Sequence, residues 1–184
     1  YLSDLVHYTE DKDKLRILVD TYYDYYNTKD YYENTYTASS DRIKELALDI
    51  TKDCNSDIEK ALALQNYFKE NEYYYDLKYV PPQGNEDIEY FIFDSKRGIC
   101  SDYATALTIM AREVGLPARY VEGYYVHEKG NDGKYIVREK HGHAFTEIYI
   151  SGIGWMTFDA TVSRVDTITQ ADTFSNIGLW LKNI

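Results

Sequence analysis

A chain of 184 residues, 44% of them hydrophobic and 28% charged, can bury one sound core, so about one domain is expected; no apolar run is long enough to cross a bilayer. The formal charge of −11 argues against a nucleic-acid partner, which needs clustered Lys and Arg, and mildly favours neutral or basic protein substrates. Two cysteines, Cys54 and Cys100, are too few for a disulfide framework, and no Cys, His or acidic cluster has zinc-like or EF-hand spacing, so neither metal nor cofactor is expected.

From Asp11 to about Tyr26, the residues Leu15, Leu18, Val19, Tyr22, Tyr25 and Tyr26 recur at helical spacing and predict an amphipathic helix with a tyrosine-rich inner face. Tyr31, Tyr32 and Tyr36 carry the aromatic cluster into a polar connection. Residues 1–38 thus read as a helical extension, and 39–184 as the main domain. Ser39-Ser40-Asp41 caps a second helix, with Ile43, Leu46, Ala47 and Ile50 on one face and an end near Lys52. Asn55-Ser56-Asp57 caps a third, whose stripe is Ile58, Ala61, Leu62, Leu64, Gln65 and Phe68. Cys54 lies between them as a packing residue. Glu72 to Asp76 is too aromatic and short to continue the helix and reads as extended. Pro81, Pro82 and Gly84 make a loop. Asp87 to Phe93 forms a short helix, and Asp94 to Gly98 turns into an amphipathic helix from Cys100 to Val114, with Ala104, Leu107, Thr108, Ala111 and Val114 buried.

After Ala118 the period changes to that of a strand. Arg119 to Val126 alternates, Gly130-Asn131-Asp132-Gly133 makes a hairpin turn into Tyr135 to Arg138, and Ala144 to Ile150 and Trp155 to Asp159 form two further strands. Helices first and an antiparallel sheet second give an α+β fold. Residues 163–184 read as a loop plus a short helix.

Cys100 occupies the first turn of its helix, where unpartnered N–H groups and the positive end of the macrodipole favour a thiolate. A thiolate nucleophile needs a base and a group that orients the base. Downstream, Gly142-His143-Ala144-Phe145-Thr146-Glu147 supplies an imidazole and Trp155-Met156-Thr157-Phe158-Asp159 a carboxylate. His141 competes with His143, being two positions earlier on the same face of a strand. Asp166 competes with Asp159, and His127 sits near a turn. A Cys54–Cys100 bridge would disable the thiol.

Four blocks in this order, Gly98-Ile-Cys-Ser-Asp-Tyr-Ala104, Gly115-Leu-Pro-Ala-Arg-Tyr-Val-Glu-Gly123, His143-Ala-Phe-Thr-Glu-Ile-Tyr149 and Gly154-Trp-Met-Thr-Phe-Asp-Ala-Thr161, resemble the transglutaminase-like superfamily. The resemblance implies a papain-like core with the cysteine helix packed on the sheet, and a Cys-His-Asp triad at Cys100, His143 and Asp159. It also implies an oxyanion hole made by the Cys100 N–H and the Tyr75 phenol, with Tyr74 the alternative if the alignment slips. The expected activity is acyl transfer or hydrolysis at protein or peptide amides through a thioester. The alternative is an inactive relative serving as a protein- or cell-wall-binding module. By the same resemblance, and because the chain opens at Tyr1 without an initiator methionine, a secreted or cell-surface location in a bacterium is expected.

Overall fold

The structure, a computed structural model, describes residues 12–35, 39–84 and 87–162. Tyr36, Asp166 and the expected helix within 163–184 lie outside the described residues.

The first helix, α1 (Lys12–Thr35), runs well past its expected end at Tyr26 and takes in Tyr31 and Tyr32. No Gly or Pro lies between Tyr26 and Thr35 to stop it, and Tyr25 and Tyr32 find ring partners on the sheet. Tyr25 lies 6.0 Å from the Tyr149 ring and Tyr32 lies 5.7 Å from Trp155. The Tyr149 hydroxyl donates to Asp24 Oδ2 at 2.6 Å. Burial, then that bond, pushes the Tyr149 phenol up to about 12.

Helices α2 (Asp41–Thr51) and α3 (Asp57–Glu70) begin where their caps place them. Ser40 Oγ accepts from the Ile43 N–H, and Ser56 Oγ accepts from the Glu59 N–H while Glu59 reaches back to the Asn55 N–H at 2.7 Å. Their inner faces, Ile43 and Ala47 from one and Ala61, Leu64 and Phe68 from the other, are buried. Phe68 then joins Tyr73, Phe91 and Tyr103 in an aromatic cluster with ring centroids 5.0–6.4 Å apart.

The segment before Cys100 is more structured than a turn. A single helical turn, α4 (Ile88–Tyr90), widens into π geometry over Phe91–Ser95 and closes on Lys96 at φ 49°, in the left-handed region. The chain then lays β2 (Arg97–Gly98) parallel to β1 (Tyr74–Tyr75), with Tyr75 opposite Gly98.

Helix α5 (Cys100–Glu113) buries Tyr103, Ala104, Ala106, Leu107, Met110 and Ala111, residues on nearly every side of it. Such a helix must sit in the middle of the molecule. One side packs on α2 and α3 and the other on the antiparallel sheet β3 (Ala118–Tyr124), β4 (Gly142–Ile150) and β5 (Gly154–Phe158), in that spatial order. Thr146 on β4 fixes the docking: its hydroxyl donates to the Ala104 carbonyl at 2.9 Å and lies 3.1 Å from the Thr108 hydroxyl.

The hairpin strand expected over Tyr135 to Arg138 does not form. The glycine turn closes, through Gly130 N–H to Lys134 O at 2.8 Å, but only one bridge, Lys129 to Tyr135, follows it. Tyr135 and Val137 stay exposed, so the alternation there has no core face to cover. Beyond β3 the Tyr125 N–H instead pairs with the His141 carbonyl at 2.8 Å, which takes the ladder position the hairpin would have used.

Candidate active site

Cys100 heads α5, and its surroundings explain why the chain there reads Gly-Ile-Cys-Ser-Asp. Ile99, the residue before the helix, has no side-chain acceptor, but Asp102 reaches back to take the Ile99 N–H at 2.7 Å. That carboxylate fills the space beside Gly98: a Cβ at position 98 would stand 2.5 Å from Asp102 Oδ2. The glycine is therefore required by the cap. Cys54 and Cys100 are both free, so no bridge ties up the sulfur.

The sheet supplies the other groups. His143 is the second residue of β4, and Asp159 follows the last residue of β5. His143 Nε2 lies 2.7 Å from Asp159 Oδ2. This bond, opposed by desolvation and helped by the carboxylate's charge, raises the imidazole above its ordinary value. For Asp159 burial alone would act upwards, yet the bond and charge of His143 and the hydrogen bond from the Thr161 N–H together hold it below the usual carboxylate range. In the neutral imidazole the shared proton sits on Nε2, and Nδ1 is left as the basic nitrogen.

The register of α5 on β4 fixes which end of the molecule carries these groups. Arg112 Nε donates to the carbonyl of Ala118, the ladder partner of Ile148, while Ala104 accepts from Thr146. Helix and strand therefore advance in the same direction. Cys100 is roughly 6 Å back from Ala104 along α5, and His143 roughly 10 Å back from Thr146 along β4. Tyr120 of β3 belongs to the same end. Burial and a 2.7 Å hydrogen bond to Glu122 push its phenol up to about 12, with smaller electrostatic contributions from Cys100 and Asp102.

The other sequence candidates fall into place around this end. His141 is buried at 5% exposure, and its Nδ1 accepts from the Arg138 N–H at 3.2 Å; it does not meet Asp159. His127 is exposed, with its ring 5.4 Å from that of His141. Tyr74 points into solvent and Tyr75 is half-buried against the core, one strand away from the residues leading into Cys100. Among the described residues no group of three or more His, Cys, Asp or Glu is placed to hold a metal.

Two partners of Asp159 were not singled out from the sequence. The Thr161 N–H donates to Asp159 Oδ1 at 2.9 Å, and the Asp159 N–H donates to Gln65 Oε1 at 3.0 Å. Gln65 left a faint signal, as a lone amide in the apolar stripe of α3.

Comparison with known proteins places the chain in a family. The uncharacterized protein YebA of Bacillus subtilis is 30% identical over 157 residues, covering 80% of this chain and 21% of that protein. A protein-glutamine gamma-glutamyltransferase of Pseudomonas aeruginosa is 35% identical over 100 residues, 54% of this chain and 15% of that enzyme. The crystal structure of the periplasmic domain of TgpA from Pseudomonas aeruginosa, bound to ethylmercury, superposes with a TM-score of 0.65 at 28% identity, over 76% of this chain and half of that one. The chain thus spans only about a fifth or less of the curated relatives it matches. The family model of the transglutaminase-like superfamily matches residues 44–160, which is more than half of the sequence and takes in α5, the sheet and Asp159; the chain belongs to that superfamily.

Proposed function

We propose that this chain is a thiol-dependent enzyme that transfers or hydrolyses acyl groups at the amides of proteins or peptides, with Cys100, His143 and Asp159 as its triad. The observation that carries the reading is the 2.7 Å bond between His143 and Asp159, at the end of the sheet where α5 begins with Cys100. Asp159 fixes the imidazole tautomer and favours its charged form, so that Nδ1 holds the proton of the Cys100 thiol and the sulfur is a thiolate. The thiolate attacks the carboxamide carbon and the C–S bond forms. The oxyanion takes hydrogen bonds from the Cys100 N–H and the Tyr75 phenol. The imidazolium then gives its proton to the departing nitrogen, the C–N bond breaks, and a thioester remains.

The second nucleophile decides the outcome. An amine loses a proton to His143, attacks the thioester and leaves a new amide; water leaves a carboxylate. In both cases the C–S bond breaks and the thiolate is restored. The family's glutamyltransferase and the periplasmic relative support a protein substrate and a location outside the bacterial cytoplasm.

The test is incubation with a glutamine-containing peptide and a fluorescent primary amine, following ammonia, labelled adduct and cleaved peptide in parallel. Formation of any of the three by the wild type, abolished in Cys100→Ala, is the expected result. Equal product from the Cys100→Ala protein would refute the proposal, as would none from folded wild type across a panel of peptides. Tyr75→Phe is expected to lower kcat by roughly 100- to 1,000-fold, the effect of losing one oxyanion donor.

A further inference from the structure

We propose that Gln65 is a positioning residue, whose buried carboxamide holds the main chain of Asp159 so that its carboxylate keeps Oδ2 on the His143 imidazole. This rests on the triad reading above. The β5 ladder ends at Phe158, paired with Thr146, so the Asp159 N–H lies past the last pair and needs another acceptor. Gln65 provides it from α3, 94 positions earlier in the chain, with Oε1 at 3.0 Å.

Burying an amide is costly unless it is hydrogen-bonded. Gln65 is 7% exposed on a face otherwise made of Ala61, Leu64 and Phe68, where a leucine would pack as well. The acceptor it offers accounts for an amide at that position. Asp159 is then held at three points: its N–H by Gln65, Oδ1 by the Thr161 N–H, and Oδ2 by His143. Without the first, the peptide plane is free to turn towards another acceptor and the carboxylate turns with it. An amide also does this without charge, whereas a glutamate would set a second anion beside Asp159.

The test compares Gln65→Met, which keeps the shape and loses the acceptor, with Gln65→Glu, which keeps both and adds charge. The direct readout is the proton NMR resonance of the His143 ring N–H bonded to Asp159, assigned by its absence in His143→Ala. Gln65→Met is expected to lose that resonance and to lower kcat by up to about 100-fold at little-changed KM. Gln65→Glu is expected to keep the resonance and most of kcat. It should also move the basic limb of the pH–rate profile upwards, since an added anion favours the imidazolium. The other groups facing the imidazole are the Tyr125 phenol, whose ring lies 6.3 Å away, and in the proposed triad the Cys100 thiol; neither is altered in these variants. Retention of the resonance and of wild-type kcat in Gln65→Met would overturn the proposal. So would equal loss in both variants with matching falls in Tm, which marks a packing role alone. The resonance can be read in protein that turns over no substrate, so failure of the proposed activity and failure of this inference are separable.

Discussion

His143 and Asp159 shift one another in opposite directions, and the signs define a pH window. A raised imidazole contributes stability that is fully present below the ordinary histidine value and lost as pH climbs through the raised one. A depressed carboxylate contributes stability present above the ordinary aspartate value and lost as pH falls through the depressed one. The stability difference between wild type and His143→Gln should therefore be greatest between these limits and shrink in strong acid and in alkali, as denaturant titrations at a series of pH values will show. A difference independent of pH would contradict the ion pair. Asp159→Asn should lower kcat by roughly 10- to 100-fold with the fold intact, because the amide oxygen can still accept from Nε2–H but no longer adds the charge that favours the imidazolium.

That His143 and not His141 meets Asp159 was legible in the sequence, because the block that resembles the family begins at His143. Gln65 could not be read in the same way. A single amide within an apolar stripe carries no periodic signal, and its partner is distant in the chain.

Among the elements, the start of α5 makes the sharpest prediction. Gly98→Ala places a methyl group 2.5 Å from Asp102 Oδ2 and 2.9 Å from its Cβ, so the carboxylate must leave the Ile99 N–H. Loss of that contact should cost about 1 kcal/mol, the usual worth of a helix cap. It should also slow alkylation of Cys100, and thermal melting together with iodoacetamide kinetics will measure both. Unchanged Tm and unchanged alkylation would show the glycine to be incidental. Serine caps and apolar stripes made α2, α3 and α5 legible to within a residue or so, since each depends on local chemistry. The hairpin strand over Tyr135 to Arg138 and the end of α1 were misread for the opposite reason. Alternation signals a strand only where a core face waits for it, and α1 extends because Tyr149 and Trp155 lie beside it on a sheet formed more than a hundred residues later.

At the scale of the molecule, α5 lies between helices and sheet, and the Tyr103 hydroxyl within the aromatic cluster has no partner among the described residues. An unpaired buried hydroxyl costs about 1–3 kcal/mol, so Tyr103→Phe should raise Tm; a fall in Tm would reveal a hydrogen bond there. The order of layers, helices before sheet, was legible because hydrophobic period changes once, near Ala118. The placement of α1 was not, because tyrosines at helical spacing say that a face is buried without saying against what. The proposed activity depends on the chemistry at the start of α5. The rate of iodoacetamide alkylation of Cys100, followed by intact mass across the pH range in wild type and His143→Ala, tests that most directly. The account predicts rapid alkylation of the wild type extending well below pH 8, the range of an ordinary free thiol near 8.5, and its loss at neutral pH in the variant. Identical profiles for the two proteins would contradict it.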